Sequence, residues 1–207
     1  MQILAYGDSI THGSHVSMGW ADQLRSHLFD AFYENDPDGY PRMYNLGIPG
    51  ETTMGLVQRF ESETKARVRA KYGSMIFLIS YGTNDAATLE ASSEHVISIE
   101  HYESNLREVL EKARSLTNRV ALLASPPVIE GKPNPNSKNR LNGDIEEYNN
   151  LLVRLADEYG TELLDLYGEF NKQGSVKLFT EDGVHPNDLG HTVIFDIVKE
   201  YIFRQLV

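Results

Sequence analysis

The sequence predicts an α/β fold, a three-layer α/β/α sandwich in which helices cover both faces of a five-stranded parallel sheet. Short apolar segments alternate along the chain with segments of helical periodicity, which is the pattern of βαβ units. The third and fourth apolar segments are hydrophobic on successive residues, as strands buried on both faces must be. The five predicted strands are residues 2–6, 42–47, 75–81, 119–125 and 162–166.

The segments between the strands carry the helical pattern. Trp20, Leu24, Leu28 and Phe32 recur every four residues and share one helix face, so Trp20 is predicted to be a core residue rather than a substrate contact. Turn-forming residues predict loops at 34–41 and 126–140. Further helices are predicted near residues 52–70, 94–115, 142–159 and 187–204.

Length and composition exclude several classes of protein. The 207 residues suit one domain, and neither a repeat nor a linker divides them, so residues 1–207 are predicted to form a single domain. A net charge of −11 argues against nucleic acid or an anionic membrane as the main partner. The chain has no cysteine, which excludes disulfides, thiolate metal sites and a cysteine nucleophile.

The sequence also predicts where the protein works and what it binds. The first residues, Met1 to Tyr6, lack the basic and apolar regions of a secretory signal, and no apolar run approaches the ~20 residues that span a bilayer. We therefore expect a cytoplasmic protein without integral membrane association, whose partner is a small molecule. The sequence leaves its oligomeric state open.

Polar and glycine-rich blocks follow the predicted strands. Because the carboxyl ends of parallel strands meet at one edge of a sheet, these blocks are predicted to converge there. Each block alone has an ordinary explanation as a turn or a helix cap. The blocks are Gly7 to Thr11, Asn45 to Thr52, Gly82 to Asp85, and Asp182 to Pro186 near the C-terminus.

The four blocks, in this order, resemble those of the SGNH hydrolase superfamily, also called the GDSL esterases and lipases. Gly7-Asp8-Ser9-Ile10 matches the nucleophile block, with Ile10 where the name-giving motif has leucine. The resemblance implies a flavodoxin-like sheet, no cofactor and no metal. It also implies a Ser9, His185 and Asp182 triad and an oxyanion hole formed by Ser9, Gly50 and Asn84, with Gly47 as the competing glycine.

The residue types suit acyl transfer. A serine needs a base to take its proton, and histidine is the side chain whose ordinary pKa suits that task near pH 7. Asp182 stands three residues before His185, within reach of its other ring nitrogen. Backbone N–H groups and a neutral amide donate to a developing oxyanion without adding negative charge. The resemblance therefore implies a serine hydrolase that cleaves carboxylic esters through an acyl-enzyme.

Two other functions remain open at this stage. In a metal-dependent phosphoesterase, Asp8, Asn84, Asp182, His185 and His191 would act as ligands, although such sites need further Asp and His at the strand ends. The second open function is that of a non-catalytic binding domain on the same fold. We expect Asp8 and Asp85 to hold their loops in place, and His191 to face solvent or cap a turn.

The substrate is predicted only by class. Short-chain acyl or acetyl esters are favoured, with thioesters and lysophospholipids as the other possible classes, because the chain has no long apolar lid. The acidic segment 85–106 also favours a neutral small ester or an acetylated sugar over a phospholipid. Lys132, Lys138 and Arg140 are interpreted as part of a solvated loop, with anion binding as the alternative. The loops predicted to read the substrate are 12–19, 51–56, 86–93 and 126–140.

Overall fold

A computed structural model describes residues 1–89, 92, 94–132 and 138–206 of the chain. Besides the strands and α-helices given next, two short 3-10 helices lie at Ala70–Tyr72 and Ser175–Leu178. In chain order the strands and α-helices are β1 (Gln2–Gly7), α1 (Ser9–His12), α2 (Trp20–Phe32), β2 (Arg42–Gly47), α3 (Thr53–Arg67), β3 (Met75–Ser80), β4 (Thr88–Leu89), α4 (Ile99–Leu116), β5 (Val120–Leu123), β6 (Lys138–Asn139), α5 (Asn142–Tyr159), β7 (Glu162–Leu164), α6 (Leu166–Gln173) and α7 (Asp188–Leu206).

The five long strands form one parallel sheet in the order β2-β1-β3-β5-β7, which confirms the predicted flavodoxin-like arrangement. The chain order reverses beside β1, so the crevice between β1 and its neighbours is the expected ligand site. Gly7 at the end of β1 pairs with Gly47 of β2 and with Ser80 of β3. The three predicted blocks that follow these strands therefore start at the same level of one sheet edge.

Two hydrophobic layers hold the helices against the sheet. Alternate β1 residues face opposite sides: Leu4 and Tyr6 pack toward α3, α4 and α5, whereas Ile3 and Ala5 pack toward α2, α6 and α7. Trp20 is 1% exposed in the second layer, which confirms that it is a core residue. Burial on both faces explains why the strands are apolar on successive residues.

Element boundaries differ from the predicted ones where a cap intervenes. The helix predicted from residue 94 begins at Ile99, because the Ser98 hydroxyl accepts a hydrogen bond from the His101 N–H and starts the helix there. The strand predicted to reach residue 166 ends at Leu164, because the Asp165 side chain caps the unpredicted helix α6 by accepting from the Gly168 N–H.

The loop predicted at 126–140 is partly ordered into a small sheet. Lys138 and Asn139 pair with Thr88 and Leu89 in an antiparallel ladder, which the separation of about fifty residues hid from the sequence pattern. The prolines and asparagines at 133–137 lie outside the described residues. None of the helices in the described part of the chain combines the length and apolarity that crossing a membrane requires. The cytoplasmic location stays a prediction of the sequence.

The layer formed by α3, α4 and α5 predicts a contrast between two leucines of one helix. Leu106 is fully buried on α4, whereas Leu116 near its end is 50% exposed. We expect Leu106→Ala to lower the free energy of unfolding by about 2–5 kcal/mol, because it removes buried methyl groups and leaves a cavity. Leu116→Ala should cost much less. Urea unfolding of the two variants measures the difference, and equal losses would contradict the layer assignment.

Candidate active site

The predicted nucleophile Ser9 lies at the sharp turn between β1 and α1. Asp8 caps this short helix, since its carboxylate accepts a hydrogen bond of 2.8 Å from the Ile10 N–H. The cap confirms the structural role predicted for Asp8. Ser9 is 9% exposed and lines a cavity of about 1050 Å³ at the carboxyl edge of the sheet. The turn thus presents one hydroxyl to the cavity from a rigid backbone.

The turn that follows residue 180 holds Asp182 and His185 together. One carboxylate oxygen of Asp182 accepts from the N–H groups of Val184 and His185 at 2.8 and 2.9 Å, and from the Thr180 hydroxyl at 2.8 Å. These bonds leave the other oxygen, Oδ2, free to face the histidine ring. The three-residue spacing therefore forms a closed turn in which the carboxylate orients the imidazole.

A continuous chain of hydrogen bonds joins the three side chains. Asp182 Oδ2 is 2.6 Å from His185 Nδ1, and His185 Nε2 is 2.9 Å from Ser9 Oγ. Since the ionised carboxylate can only accept, Nδ1 carries the proton and Nε2 of a neutral ring faces the hydroxyl as an acceptor. The geometry is that of a serine with a base, and of a base with an orienting acid.

The surroundings of this chain shift both pKa values downward. Burial alone would raise the pKa of Asp182, but the hydrogen bonds from His185, Val184 and Thr180 outweigh it and lower the pKa well below its usual range. Burial lowers the pKa of His185, and the neighbouring His15 and Arg140 lower it further against the opposing effect of Asp182. His185 is therefore neutral, and able to accept a proton, at neutral pH.

The second block supplies a tight turn at the cavity wall. Pro49 and Gly50 occupy its centre, Gly50 has a φ of +77°, and the Glu51 N–H closes the turn on the Ile48 carbonyl at 3.1 Å. These features match a type II turn, which requires the positive φ that glycine tolerates. Among the described residues, the N–H groups of Ser9 and Gly50 donate no hydrogen bond.

Gly47, the competing glycine, has a different task. A Cβ added there would lie 2.2 Å from the His12 backbone nitrogen and 2.8 Å from the Asp8 carbonyl oxygen. Gly47 therefore allows β2 to approach α1 closely. Gly50, by contrast, lines the cavity beside Ser9 and has open space around it, which supports the choice of Gly50 for the oxyanion hole.

Asn84, from the third block, is buried with its carboxamide at the cavity. Its Nδ2 donates to the Glu51 carbonyl at 3.1 Å and to Asp8 Oδ2 at 3.3 Å. Asp85 points away from the cavity and accepts from the N–H and hydroxyl of Thr53 at 2.9 and 2.6 Å. Asp85 thus ties the third block to the start of α3, which agrees with the structural role predicted for it, and all four blocks converge on the cavity.

The two buried carboxylates of these blocks have raised pKa values. Burial raises the pKa of Asp8 to about 7, with Asp85 adding to the rise and Arg140 opposing it. Burial also raises the pKa of Asp85 to about 6, although its bonds from Thr53 oppose the change. Near neutral pH Asp8 is therefore only partly ionised, whereas Asp85, with the lower pKa, is mostly ionised.

A buried ion pair that the sequence analysis missed holds the second block. Glu51 accepts from Arg59 Nε at 2.7 Å and from the Tyr81 hydroxyl at 2.6 Å, and Arg59 also donates to the Leu46 carbonyl at 2.6 Å. These contacts bind the turn after β2 to α3 and to the end of β3. Helix α3 places Arg59 eight residues beyond Glu51, a spacing that no short motif marks.

Arg140 overturns the interpretation of its segment as a solvated loop. Its side chain is half-buried at the cavity, where Nη2 donates to Asn84 Oδ1 at 2.9 Å and Nε donates to the Thr83 carbonyl at 3.0 Å. From the sequence, Arg140 is only a cation in a polar loop. The contact with the third block arises because the small β4–β6 sheet brings this loop against it, which no local pattern indicates. Lys132, from the same cluster, is exposed, as predicted.

His15 is a second feature that the sequence analysis did not single out. It has a φ of +71°, the one positive value among the non-glycine residues described, and its ring lies 4.4 Å from that of His185. One ligand atom each of His15, Asp182 and His185 lies within 4.8 Å of the others. Both ring nitrogens of His185 are already bonded to Asp182 and Ser9, so a metal would have to displace those bonds.

The position predicted for His191 is wrong. The residue is fully buried rather than facing solvent or capping a turn, and its Nδ1 accepts from the Trp20 N–H at 3.2 Å. Burial lowers the pKa of His191 to about 4, so it stays neutral. Two members of the rival metal set, Asp8 and His191, are therefore engaged in bonds that hold the fold.

The cavity wall also changes the charge argument for the substrate. Of the described residues in the acidic segment 85–106, those that line the cavity are Thr88 and His95, which carry no carboxylate. The described acidic residues of that segment thus do not line the cavity, contrary to expectation. Among the described lining residues the charges are balanced, with Glu130, Asp144 and Asp182 against Lys132, Lys138 and Arg140.

Comparisons with known proteins agree with the fold and the blocks. The profile of the GDSL-like Lipase/Acylhydrolase family matches residues 5–193. Isoamyl acetate-hydrolyzing esterase 1 homolog of Mus musculus is 26% identical over 208 residues, covering 94% of this chain and 78% of that protein. GDSL esterase/lipase CPRD49 of Arabidopsis thaliana is 30% identical over 216 residues, covering 96% of this chain and 79% of that protein.

A solved structure shows the shared fold. Axe2, an acetylxylan esterase from Geobacillus stearothermophilus, superposes with a TM-score of 0.74 at 23% identity, covering 97% of this chain and 93% of that one. The family profile spans all four blocks, from the turn that contains Ser9 to the Asp182–His185 turn. By profile and by curated relatives, the chain belongs to the GDSL-like lipase/acylhydrolase family and is a carboxylic-ester hydrolase.

Proposed function

We propose that this esterase acts through a Ser9, His185 and Asp182 triad with an acyl-enzyme intermediate, and that its preferred substrates are short-chain acyl or acetyl esters. The observation that carries the proposal is the unbroken hydrogen-bond chain from Asp182 through His185 to Ser9. This chain ends in the same cavity as Gly50 and Asn84. Nucleophile, base, orienting acid and donors are the parts that acyl transfer requires.

The first half of the reaction forms the acyl-enzyme. Ser9 Oγ attacks the ester carbonyl carbon while its proton passes to His185 Nε2, and Asp182 stabilises the resulting imidazolium through Nδ1. The imidazolium then gives that proton to the alcohol oxygen as the bond between the carbonyl carbon and that oxygen breaks. The alcohol leaves, and Ser9 carries the acyl group as an ester.

Negative charge on the carbonyl oxygen is stabilised by three donors. The N–H groups of Ser9 and Gly50 and the carboxamide Nδ2 of Asn84 provide them, and removal of one such donor typically costs roughly 10²–10³ in rate. Nδ2 donates to the Glu51 carbonyl at 3.1 Å and to Asp8 Oδ2 at 3.3 Å, so one of these bonds, the longer one to Asp8, is exchanged for a bond to the oxyanion. Because the backbone of the first two blocks is fixed, little reorganisation is needed at the moment of reaction.

The second half returns the enzyme to its starting state. A water molecule gives a proton to His185 Nε2 and attacks the acyl carbon, which forms the same oxyanion again. His185 then returns the proton to Ser9 Oγ as the bond between Oγ and the acyl carbon breaks. The carboxylic acid leaves.

The form of the cavity supports a short acyl group. Most of its described lining residues are polar or charged, and its aliphatic side chains are Val128, Ile129, Leu141 and Val184, a small apolar set that suits a short acyl group. Its balanced charges suit a neutral ester. The mouse relative is named for the hydrolysis of isoamyl acetate, an acetate ester of a short branched alcohol, which agrees with this choice.

Covalent labelling tests the nucleophile. A fluorophosphonate probe should form one adduct, at Ser9, even in the presence of EDTA, because His185 rather than a metal activates the hydroxyl. Ser9→Ala should lose labelling and at least 10³-fold in hydrolysis of p-nitrophenyl acetate, roughly the contribution of such a triad. The exposed Ser26→Ala should behave as wild type. Labelling that persists in Ser9→Ala, or that EDTA abolishes, would overturn the assignment.

The pH profile tests the base. The value of kcat/KM should rise with pH through one ionisation, since only neutral His185 accepts the proton, and level off by neutral pH. Because burial lowers the pKa of His185, the midpoint should lie below the ordinary histidine value of about 6.5. Asp8 is another group whose pKa lies near neutral, at about 7. The Asp8→Asn variant removes that titration, so an unchanged midpoint in this variant assigns the ionisation to His185 rather than to Asp8. A rate that falls between pH 5 and 8 would contradict the role of His185.

Acyl-chain profiling tests the substrate class. With p-nitrophenyl esters from C2 to C16, kcat/KM should be highest at C2 to C4 and should fall as the chain lengthens beyond what the cavity covers. Acetylated sugars, a thioester and a lysophospholipid, assayed in parallel, distinguish the remaining classes. A maximum at C10 or longer, or a preference for the lysophospholipid, would contradict the proposal.

A further inference from the structure

Arg140 makes a contact that neither the motif blocks nor the proposed triad accounts for. It stands at the end of the loop between β5 and α5, next to β6, far in sequence from Asn84, yet Nη2 lies 2.9 Å from Asn84 Oδ1. Its Nε donates at the same time to the Thr83 carbonyl at 3.0 Å. The planar guanidinium thus bridges the backbone and the side chain of two successive residues in the third block.

The chemistry of the contact decides which way the carboxamide of Asn84 faces. An asparagine amide has a donor end and an acceptor end of nearly the same shape, and only the donor end helps an oxyanion. A guanidinium has donors only, so the atom facing Arg140 is the oxygen. The NH₂ group consequently faces the side of Ser9 and Gly50, where the Glu51 carbonyl and Asp8 accept from it.

The same contact strengthens Asn84 as a donor. A cation bonded to the amide oxygen draws electron density from the nitrogen, so hydrogen bonds donated by Nδ2 become stronger. Because Asn84 is 5% exposed and Arg140 is half-buried, water screens this effect little. Arg140 stays charged despite its burial, with Asp8 and Asp182 nearby as the compensating carboxylates.

We propose that Arg140 is a positioning residue of the oxyanion hole, which holds the carboxamide of Asn84 with its NH₂ group toward the reacting carbonyl and polarises that group. The inference rests on the proposed role of Asn84 as an oxyanion donor. It assigns Arg140 no contact with the substrate and no part in proton transfer. Its effect on the rate should therefore pass entirely through Asn84.

A double-mutant cycle with p-nitrophenyl acetate tests this route. Arg140→Met should lower kcat roughly 10–100-fold, less than the loss of a whole donor, and leave KM within about twofold, since only the transition state carries the oxyanion. Asn84→Ala should lower kcat roughly 10²–10³-fold. In the Asn84→Ala background, Arg140→Met should cost less than about threefold, because the group through which it acts is gone.

Matched variants separate this effect from lost charge and lost stability. Arg154→Met removes the same charge from an exposed position on α5 and should leave kcat within about twofold of wild type. Arg140→Lys keeps the charge but replaces the two-point fork by a single ammonium, so most of the kcat loss should remain. Thermal unfolding of each variant shows whether the compared proteins are folded. If Arg140→Met does not fold, Arg140→Lys takes its place in the double-mutant cycle with Asn84→Ala.

The outcomes distinguish failure of the inference from failure of the proposed site. If Asn84→Ala keeps full activity, the oxyanion hole itself is wrong. If Asn84→Ala is impaired but Arg140→Met costs the same factor with and without Asn84, Arg140 acts elsewhere and the inference fails. A raised KM with unchanged kcat in Arg140→Met would identify a substrate-binding cation and would also overturn it.

Discussion

The in-register pairing of β1 with β2 and β3 is the constraint on which the rest of the site depends. Gly7 pairs with Gly47 on one side and with Ser80 on the other, so three blocks leave the sheet at one level. Parallel strands all end at the same edge, and the reversal of order beside β1 opens a crevice there. A slip of one residue in either pair would turn the side chains of the slipped strand to the opposite layers, where their sizes do not fit, so core packing also secures the site.

Buried polar contacts then lock the blocks to one another. The Asn84 carboxamide lies between the carboxylate of Asp8, which accepts from its nitrogen, and the guanidinium of Arg140, which donates to its oxygen. Asp85 binds the start of α3, and Glu51 with Arg59 binds the turn that contains Gly50. Each burial carries a desolvation cost, visible in the raised pKa values of Asp8 and Asp85, that only satisfied partners offset.

Much of this arrangement was predictable from local patterns. Residues apolar on both faces identified the central strands, and four spaced blocks identified Ser9, Gly50, Asn84, Asp182 and His185, which the fold brings to one cavity. The Asp182 turn closes within four residues, so its geometry follows from the local sequence. Helix α5 has the predicted bounds because nothing within residues 142–159 interrupts its periodicity.

Other features of the site could not be predicted from local patterns, namely the positions of Arg140, His15, His191 and the Glu51–Arg59 pair. A histidine in a helix of mixed polarity looks solvent-facing until α7 packs against the start of α2 and buries it. An arginine in a Pro-rich loop looks solvated until a two-residue ladder between β4 and β6 carries it to Asn84. These assignments depend on contacts between residues tens of positions apart, which leave no periodicity or spacing in the sequence.

The sequence by itself determined the fold class, the order of the blocks and the residue types that acyl transfer needs, because backbone periodicity and short-range turns are local properties. The tertiary structure alone decided how those residues are oriented and supported. Which end of the Asn84 amide faces the cavity, and which charges surround His185, follow from long-range packing. The local sequence determined which residue types stand in the four blocks, and the packing of distant segments determined the direction of their side chains, their pKa values and their partners.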